Sequence, residues 1–234
     1  MPKVRQDALR GAAIQAIKDT ARHLMAEQGT AGLSVRGIAK ALHLTPPALY
    51  TYFTSLDDLI TALITDNFNA LADTLEHARD ALPVEDPVAQ LEAVMNAYRQ
   101  WAVDHPVDFQ LNYGNPIPGY HAPREITVPA VVRSFVVIVG LIERIVQSER
   151  YAPNPPYDTV PPRLQPALQR VITEGGYPVS ELALYLSVSG WGEIHGIIML
   201  ELFHHIQALV GDTATYYQEQ IRRMMRAFGI RPKG

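Results

Sequence analysis

Ser34-Val35-Arg36-Gly37-Ile38-Ala39-Lys40-Ala41-Leu42-His43-Leu44-Thr45-Pro46-Pro47-Ala48-Leu49-Tyr50-Thr51-Tyr52-Phe53 carries the densest structural signal in the chain. Val35, Ile38, Ala39 and Leu42 recur at helical spacing, which predicts a helix over residues 34–42. A second helix fits residues 46–53, with Thr45 as N-cap and Pro46 at the first helical position, where a missing N–H costs nothing. Only His43-Leu44-Thr45 separate the two, the spacing of a helix-turn-helix. His43 falls where the chain needs a left-handed residue; Gly is the easy choice there, but His tolerates it better than most. The second helix turns Leu49 and Phe53 inward and Ala48, Thr51 and Tyr52 outward. It carries no charge, so it can approach a major groove closely and read it through hydroxyls and methyl contacts.

Working outward, nearly everything reads as helix. Apolar residues from Ala8 to Met25 predict a leading helix over residues 5–28, stopped by Gly29. Ser55, with Asp57 and Asp58 behind it, starts a fourth helix over residues 55–81. Further helices fit residues 86–105, 106–113, 128–148, 163–174, 180–210 and 213–228, with proline-rich connections at 114–123 and 151–162. No stretch alternates long enough to be a strand. The fold expected is all-α: a three-helix head over residues 1–54 and a helical body over residues 55–234.

Charge separates these two regions. Residues 1–54 hold a formal +4 and the remainder −8, for a net −4. A basic head on an acidic body points to a polyanionic partner. With 234 residues, 47% hydrophobic and 19% charged, the chain has the balance of a globular protein. Its lack of cysteine excludes a disulfide scaffold, a thiolate-bound metal and a thiol nucleophile. The charged start reads as no signal peptide, and the longest apolar run, residues 128–142 with Arg133 inside it, falls short of a bilayer span. A cytoplasmic location with no membrane partner is the expectation.

Residues 33–59 resemble the N-terminal domain of TetR-type (tetracycline-repressor-like) transcriptional regulators. The Ile38-Ala39 pair, Leu49-Tyr50-Thr51-Tyr52-Phe53 and the leading helix ending at Gly29 carry the likeness. The resemblance implies a homodimer that binds a double-stranded DNA operator through Ser34, Val35, Arg36, Lys40, Thr45, Pro46, Pro47, Ala48, Tyr50, Thr51 and Tyr52. It also implies a C-terminal domain whose small-molecule effector changes DNA affinity, with a repressor the expected outcome. Tyr50 would either contact phosphate or pack on the first helix. His43 departs from the family's usual Gly, Pro47 from a small residue and Leu56 from a phosphate-binding Lys. No Lys or Arg lies between Ala41 and His77. Phosphate contacts then fall to Lys3, Arg5, Arg36, Lys40, the hydroxyls of Thr51 and Tyr52 and backbone N–H groups, and binding should depend less steeply on salt than in a lysine-bearing relative.

The body offers less. Trp191 and His195 lie one turn apart, continued by Met199 and Phe203, and resemble the Trp…His-Gly element of one TetR subgroup. They line a pocket or pack a core; Tyr98, Trp101, Phe109, Tyr113 and Phe135 carry the same two readings. A mostly apolar cavity between helices would take a hydrophobic or amphipathic effector. Tyr120 and His121 either close over such a pocket or face water. Tyr217, Ile221, Met224, Met225 and Phe228 form an apolar stripe that suits a dimer face of the last two helices or an internal core. Two rival functions remain, a metal enzyme and a protein-binding adaptor. Glu201-x-x-His204 has di-metal spacing but no second copy, and Gly190-x-Gly192 lacks the third glycine of a dinucleotide loop. No catalytic residue, cofactor or metal is expected.

Overall fold

The computed structural model describes residues 2–114 and 117–231, with only the backbone described for Pro2, Lys3 and Ala31. The side chain of Lys3, expected at phosphate, therefore lies outside the described residues. The helices are α1 (Pro2–Gln28), α2 (Val35–Ala41), α3 (Pro46–Leu49), α4 (Leu56–Asp80), α5 (Pro87–Asp104), α6 (Pro106–Tyr113), α7 (Arg124–Val146), α8 (Gln165–Gly175), α9 (Glu181–Leu202), α10 (Gln207–Val210) and α11 (Thr213–Ala227), with a 3-10 turn at Thr30–Gly32. An isolated bridge between Tyr151 and Ile230 is the sole extended pairing among the described residues. The fold is all-α.

Packing groups the chain into two compact units: Met1–Asn69 with His105–Val131, and Ala70–Asp104 with Val132–Gly234. This grouping differs from a cut after Thr54, because the start of α4, all of α6 and the following loop share one core with the first three helices. That core joins Ile17, Ala21 and Met25 of α1 to Ile38 and Ala39 of α2, Leu49 of α3, and Leu59, Ile60 and Leu63 of α4. Burying each large aliphatic side chain contributes about 1.5–3 kcal/mol. Two ion pairs tie α1 down at its solvent edge: Lys18 to Asp66 at 2.5 Å and Arg22 to Asp108 at 2.9 Å.

In the second unit, Leu91, Val94 and Met95 of α5 are buried, as are Val137, Leu141 and Ile145 of α7 and Leu186 and Ile198 of α9. The α11 stripe joins them: Tyr217 and Ile221 are fully buried, and Met224, Met225 and Phe228 nearly so. The Tyr217 hydroxyl donates to the Met95 carbonyl at 2.9 Å. A Cβ on Gly190 would sit 3.2 Å from Met224 Sδ and from Phe228, so glycine is what lets α11 approach α9 there. The stripe is internal core, and any dimer face must be sought on other residues.

Several helix limits differ from the sequence reading for local reasons. The helix expected over 46–53 stops at Leu49, and its last turn tightens as Tyr52 N bonds Leu49 O at 3.0 Å while Thr51 Oγ1 takes the Ala48 carbonyl at 2.7 Å. The helix expected over 180–210 ends at Leu202, because His204 turns left-handed (φ 59°). It is about 33 Å long at about 1.5 Å per residue, not about 46 Å.

α7 extends beyond the apolar run on both sides and is long and apolar enough to cross a membrane, by length and composition. Arg133 and Glu143 on it have protein partners. Arg133 bonds Glu76 at 3.0 Å and Asp73 at 2.5 Å, and Glu143 accepts from Ser180 at 2.6 Å. That is how a core helix accommodates charge.

Candidate nucleic-acid interface

The turn between α2 and α3 is built from backbone hydrogen bonds that the sequence makes available. Ser34 caps α2 by accepting the Gly37 N–H at 3.1 Å. At the other end His43 takes φ 54°, its N–H bonds Lys40 O at 3.2 Å, and Leu44 N–H bonds Ala39 O at 2.9 Å. This pair of bonds is a Schellman motif with His at the position glycine normally fills. Thr45 has the extended backbone of an N-cap but makes no side-chain cap bond, so only half of its expected role is realised. Ser55 does cap α4, accepting from Asp58 N at 3.0 Å.

The outcome is an exposed edge. Ser34, Arg36, Lys40, Thr45, Pro46, Pro47, Tyr50 and Thr51 are exposed, while Val35, Ala48 and Tyr52 are half-buried. Leu49 and Phe53 point into the core and fix the roll of α3. The two tyrosines divide the roles left open for Tyr50 alone. Tyr50 is 49% exposed, whereas Tyr52 packs on the core of this unit.

Arg10, which the sequence reading passed over, reaches back from α1. Its guanidinium donates to the Thr51 carbonyl at 3.1 Å and lies over the Tyr52 ring, 5.4 Å from the centroid. It closes the frayed end of α3, holding a segment that has too few helical bonds of its own. An Arg so far ahead of the turn motif in the chain is invisible as a partner until the fold is known.

The aromatic residues named for a pocket fall in both compact units. Phe109 and Tyr113 belong to the first unit, where Tyr113 sits 4.9 Å from Phe109 and 5.4 Å from Phe68, ring to ring. Tyr98, Trp101, Phe135, Trp191, His195 and Met199 belong to the second. There Trp191 Nε1 donates to the Tyr98 hydroxyl at 3.3 Å, and Tyr98 lies 2.9 Å from His195 Nδ1. Burial lowers the His195 pKa. The Trp191–Tyr98–His195 contacts join α5 to α9. The cavity beside Trp191 is only about 10 Å³, room for one water at most. Phe135 borders a separate apolar space of about 120 Å³ with Tyr177 and Val171. Trp101 is buried, and Met199 half-buried.

A cavity of about 360 Å³ lies in the first unit between α4, α6 and α7. Tyr120 closes one side, its hydroxyl 2.9 Å from Thr61 Oγ1, and burial raises its pKa. His121 is exposed.

Glu201 and His204 do not form a metal pair. His204 lies beyond the end of α9, and Glu201 is held by Arg99 (Nε to Oε2, 2.7 Å) and by Thr213 Oγ1 at 2.6 Å.

Comparison with known proteins supplies the identity. Residues 17–63 match the model of bacterial regulatory proteins of the tetR family, and residues 91–224 match a tetracyclin repressor-like C-terminal domain. The HTH-type transcriptional regulators Rv1816 of Mycobacterium tuberculosis and Mb1846 of Mycobacterium bovis are each 30% identical over 211 residues, covering 89% of both chains. The crystal structure of SCO4313 superposes with TM-score 0.76 at 28% identity, over 94% of this chain and 98% of that one. A TetR family regulator, PfmR from Thermus thermophilus, shares the fold at TM-score 0.56 and 16% identity, over 90% and 97% of the two chains. These relatives are regulators of transcription, not enzymes, and this chain belongs with them to the TetR family of DNA-binding transcriptional regulators.

Proposed function

We propose that the chain is a repressor that leaves a palindromic operator when a small hydrophobic or amphipathic effector binds. Residues 1–54 serve as the DNA-binding head and residues 55–234 as the effector-binding and dimerisation body. The observation that carries this reading is the exposed, uncharged edge from Thr45 to Thr51, flanked by the exposed cations Arg36 and Lys40. Arg36 and Lys40 would hold the phosphates while Pro46, Pro47, Ala48, Tyr50 and Thr51 meet base edges.

The second copy docks on α9. Val188 and Leu200 of that helix remain 47% and 45% exposed. Between them, at four-residue spacing, Gly192 and Gly196 have open space where a Cβ would stand. A helix apolar on its outer face requires cover, and two glycines allow a partner backbone to come close. Effector binding would favour one conformation, move α4 and alter head separation across the dimer. A coupling of about 1–3 kcal/mol gives roughly a 5–150-fold change in DNA affinity.

The test is a mobility shift on the region upstream of the chain's own gene. Tyr50→Ala and Arg36→Ala should each weaken binding about tenfold, a base or phosphate contact being worth about 1–3 kcal/mol, with thermal unfolding unchanged. Full affinity in both variants would remove the interface assignment.

A further inference from the structure

α3 has little of its own to hold it in place. Pro46 and Pro47 have no N–H to give, and Thr45 makes no side-chain cap bond. The bonds of helical span that close it are long, Leu49 N to Thr45 O at 3.4 Å and Tyr50 N to Pro46 O at 3.3 Å. A helix this short is not stable without tertiary support. Leu49 and Phe53 supply that support from the core side. The opposite side, where Tyr50 is 49% exposed, is the one that faces outward.

Between these anchors the chain leaves the helix as a tight turn. The Thr51 N–H and Oγ1 both go to the Ala48 carbonyl, at 3.3 Å and 2.7 Å. The Thr51 carbonyl accepts from Arg10 Nη2 at 3.1 Å, across 41 residues of chain. The same guanidinium lies 5.4 Å from the centroid of the Tyr52 ring, which packs against the core. A planar guanidinium can bond a carbonyl with its edge while its face covers a ring. Arg10 thus grips the backbone of one residue and the side chain of the next. It is exposed, and no ion pair engages it among the described residues.

We propose that Arg10 is a positioning residue for operator recognition, acting through Thr51 and Tyr52 to hold Tyr50 and Thr51 where they meet base edges. It sets sequence discrimination rather than affinity for phosphate. The inference rests on the DNA interface proposed above and adds to it a residue from outside the turn. Without Arg10 the turn keeps its core anchors but samples further conformations, and affinity for the operator falls with the fraction that remains competent. Non-specific binding, carried by phosphate contacts, does not depend on that fraction. At an exposed site the hydrogen bond and the cation–π contact together are worth about threefold per head, hence about tenfold for a dimer on two half-sites.

The test titrates full-length protein against the fragment upstream of its own gene and against a scrambled fragment of the same length. Arg10→Ala should weaken binding to the first about tenfold and leave the second as tightly bound as before. The slope of log K against log salt should not change, because no phosphate contact is lost. Arg10→Lys keeps the charge and a donor but not the plane, so it should recover only part of the loss. In the free protein, the amides of Tyr50, Thr51 and Tyr52 should exchange faster in Arg10→Ala while those of α2 do not, with thermal unfolding unchanged. Undiminished discrimination in Arg10→Ala, or unchanged exchange at those three amides, would overturn the proposal. So would a shallower salt slope with both fragments weakened together, which would make Arg10 a phosphate contact. Exchange is read without DNA and therefore tests Arg10 by itself. If the unmodified protein binds both fragments alike, it is the proposed interface that fails.

Discussion

Each compact unit anchors a polar network on one arginine, and the two networks end differently. In the second unit Arg99 meets Glu201 through both nitrogens of its fork, Thr213 donates to the same carboxylate, and Arg99 sits 5.7 Å from the Tyr217 ring centroid. That network closes on itself. In the first unit the chain from Arg22 through Asn67 ends at Asn112, whose Nδ2 is buried and without a hydrogen-bond partner. A closed buried network fixes a fold, whereas a buried donor left without an acceptor is destabilising.

The sharpest way to break this contrast is Glu201→Ala. Arg99 and Glu201 side chains are only 12% and 9% exposed. Removing the carboxylate leaves a buried guanidinium without a counterion, a change that costs about 3–5 kcal/mol. Chemical unfolding should show that loss. A loss below about 1 kcal/mol, the worth of an exposed pair, would mean that Arg99 finds water or another acceptor and that the network is open after all.

A smaller effect separates the Trp191–Tyr98–His195 cluster from the Arg99 network by pH. Burial depresses the His195 pKa in the fold below its ordinary 6.5. The native state then binds fewer protons than the unfolded chain, so the contribution is complete above about pH 6.5 and is lost as pH falls toward the folded value. Glu201 is pushed up by burial, but its hydrogen bonds from Arg99 and Thr213 win, and its pKa ends below the ordinary 4.5. Its contribution is lost only in a more acidic window. Stability measured from about pH 8 to about pH 5 should fall in the unmodified protein and stay flatter in His195→Gln. Identical profiles would show that protonated His195 is accommodated without disturbing Tyr98.

How legible each unit was in sequence follows from the same contrast. The turn from Ser34 to Phe53 could be read because its information is local: a cap, a left-handed residue and apolar positions all within one short segment. The α11 stripe could be seen but not placed, since one apolar face suits a core or a dimer equally until a Cβ at Gly190 is found to fall 3.2 Å from Met224. The cavity could not be read at all. It joins Ile64, Asn112 and Thr127, residues from three helices whose side chains carry no signature apart from their contacts.

The finest distinction concerns how the basic head divides its cations. Lys18 and Arg22 are committed to Asp66 and Asp108, and Arg10 to the Thr51 carbonyl and the Tyr52 ring. Arg5, Arg36 and Lys40 are exposed, and no ion pair engages them among the described residues. A formal +4 therefore overstates what reaches a phosphate. Three such cations among the described side chains of each head give about six phosphate contacts for a dimer, and at about 0.9 counterions per contact the slope of log K against log salt should be about −5, with Lys3 adding to it where it too meets phosphate. Arg36→Ala in both heads should make it shallower by about 2, whereas Lys18→Ala should leave the slope unchanged and act through stability. A slope near about −10, or one that moves with Lys18, would show that the internal ion pairs open on DNA and that the head is not as rigidly wired as its hydrogen bonds suggest.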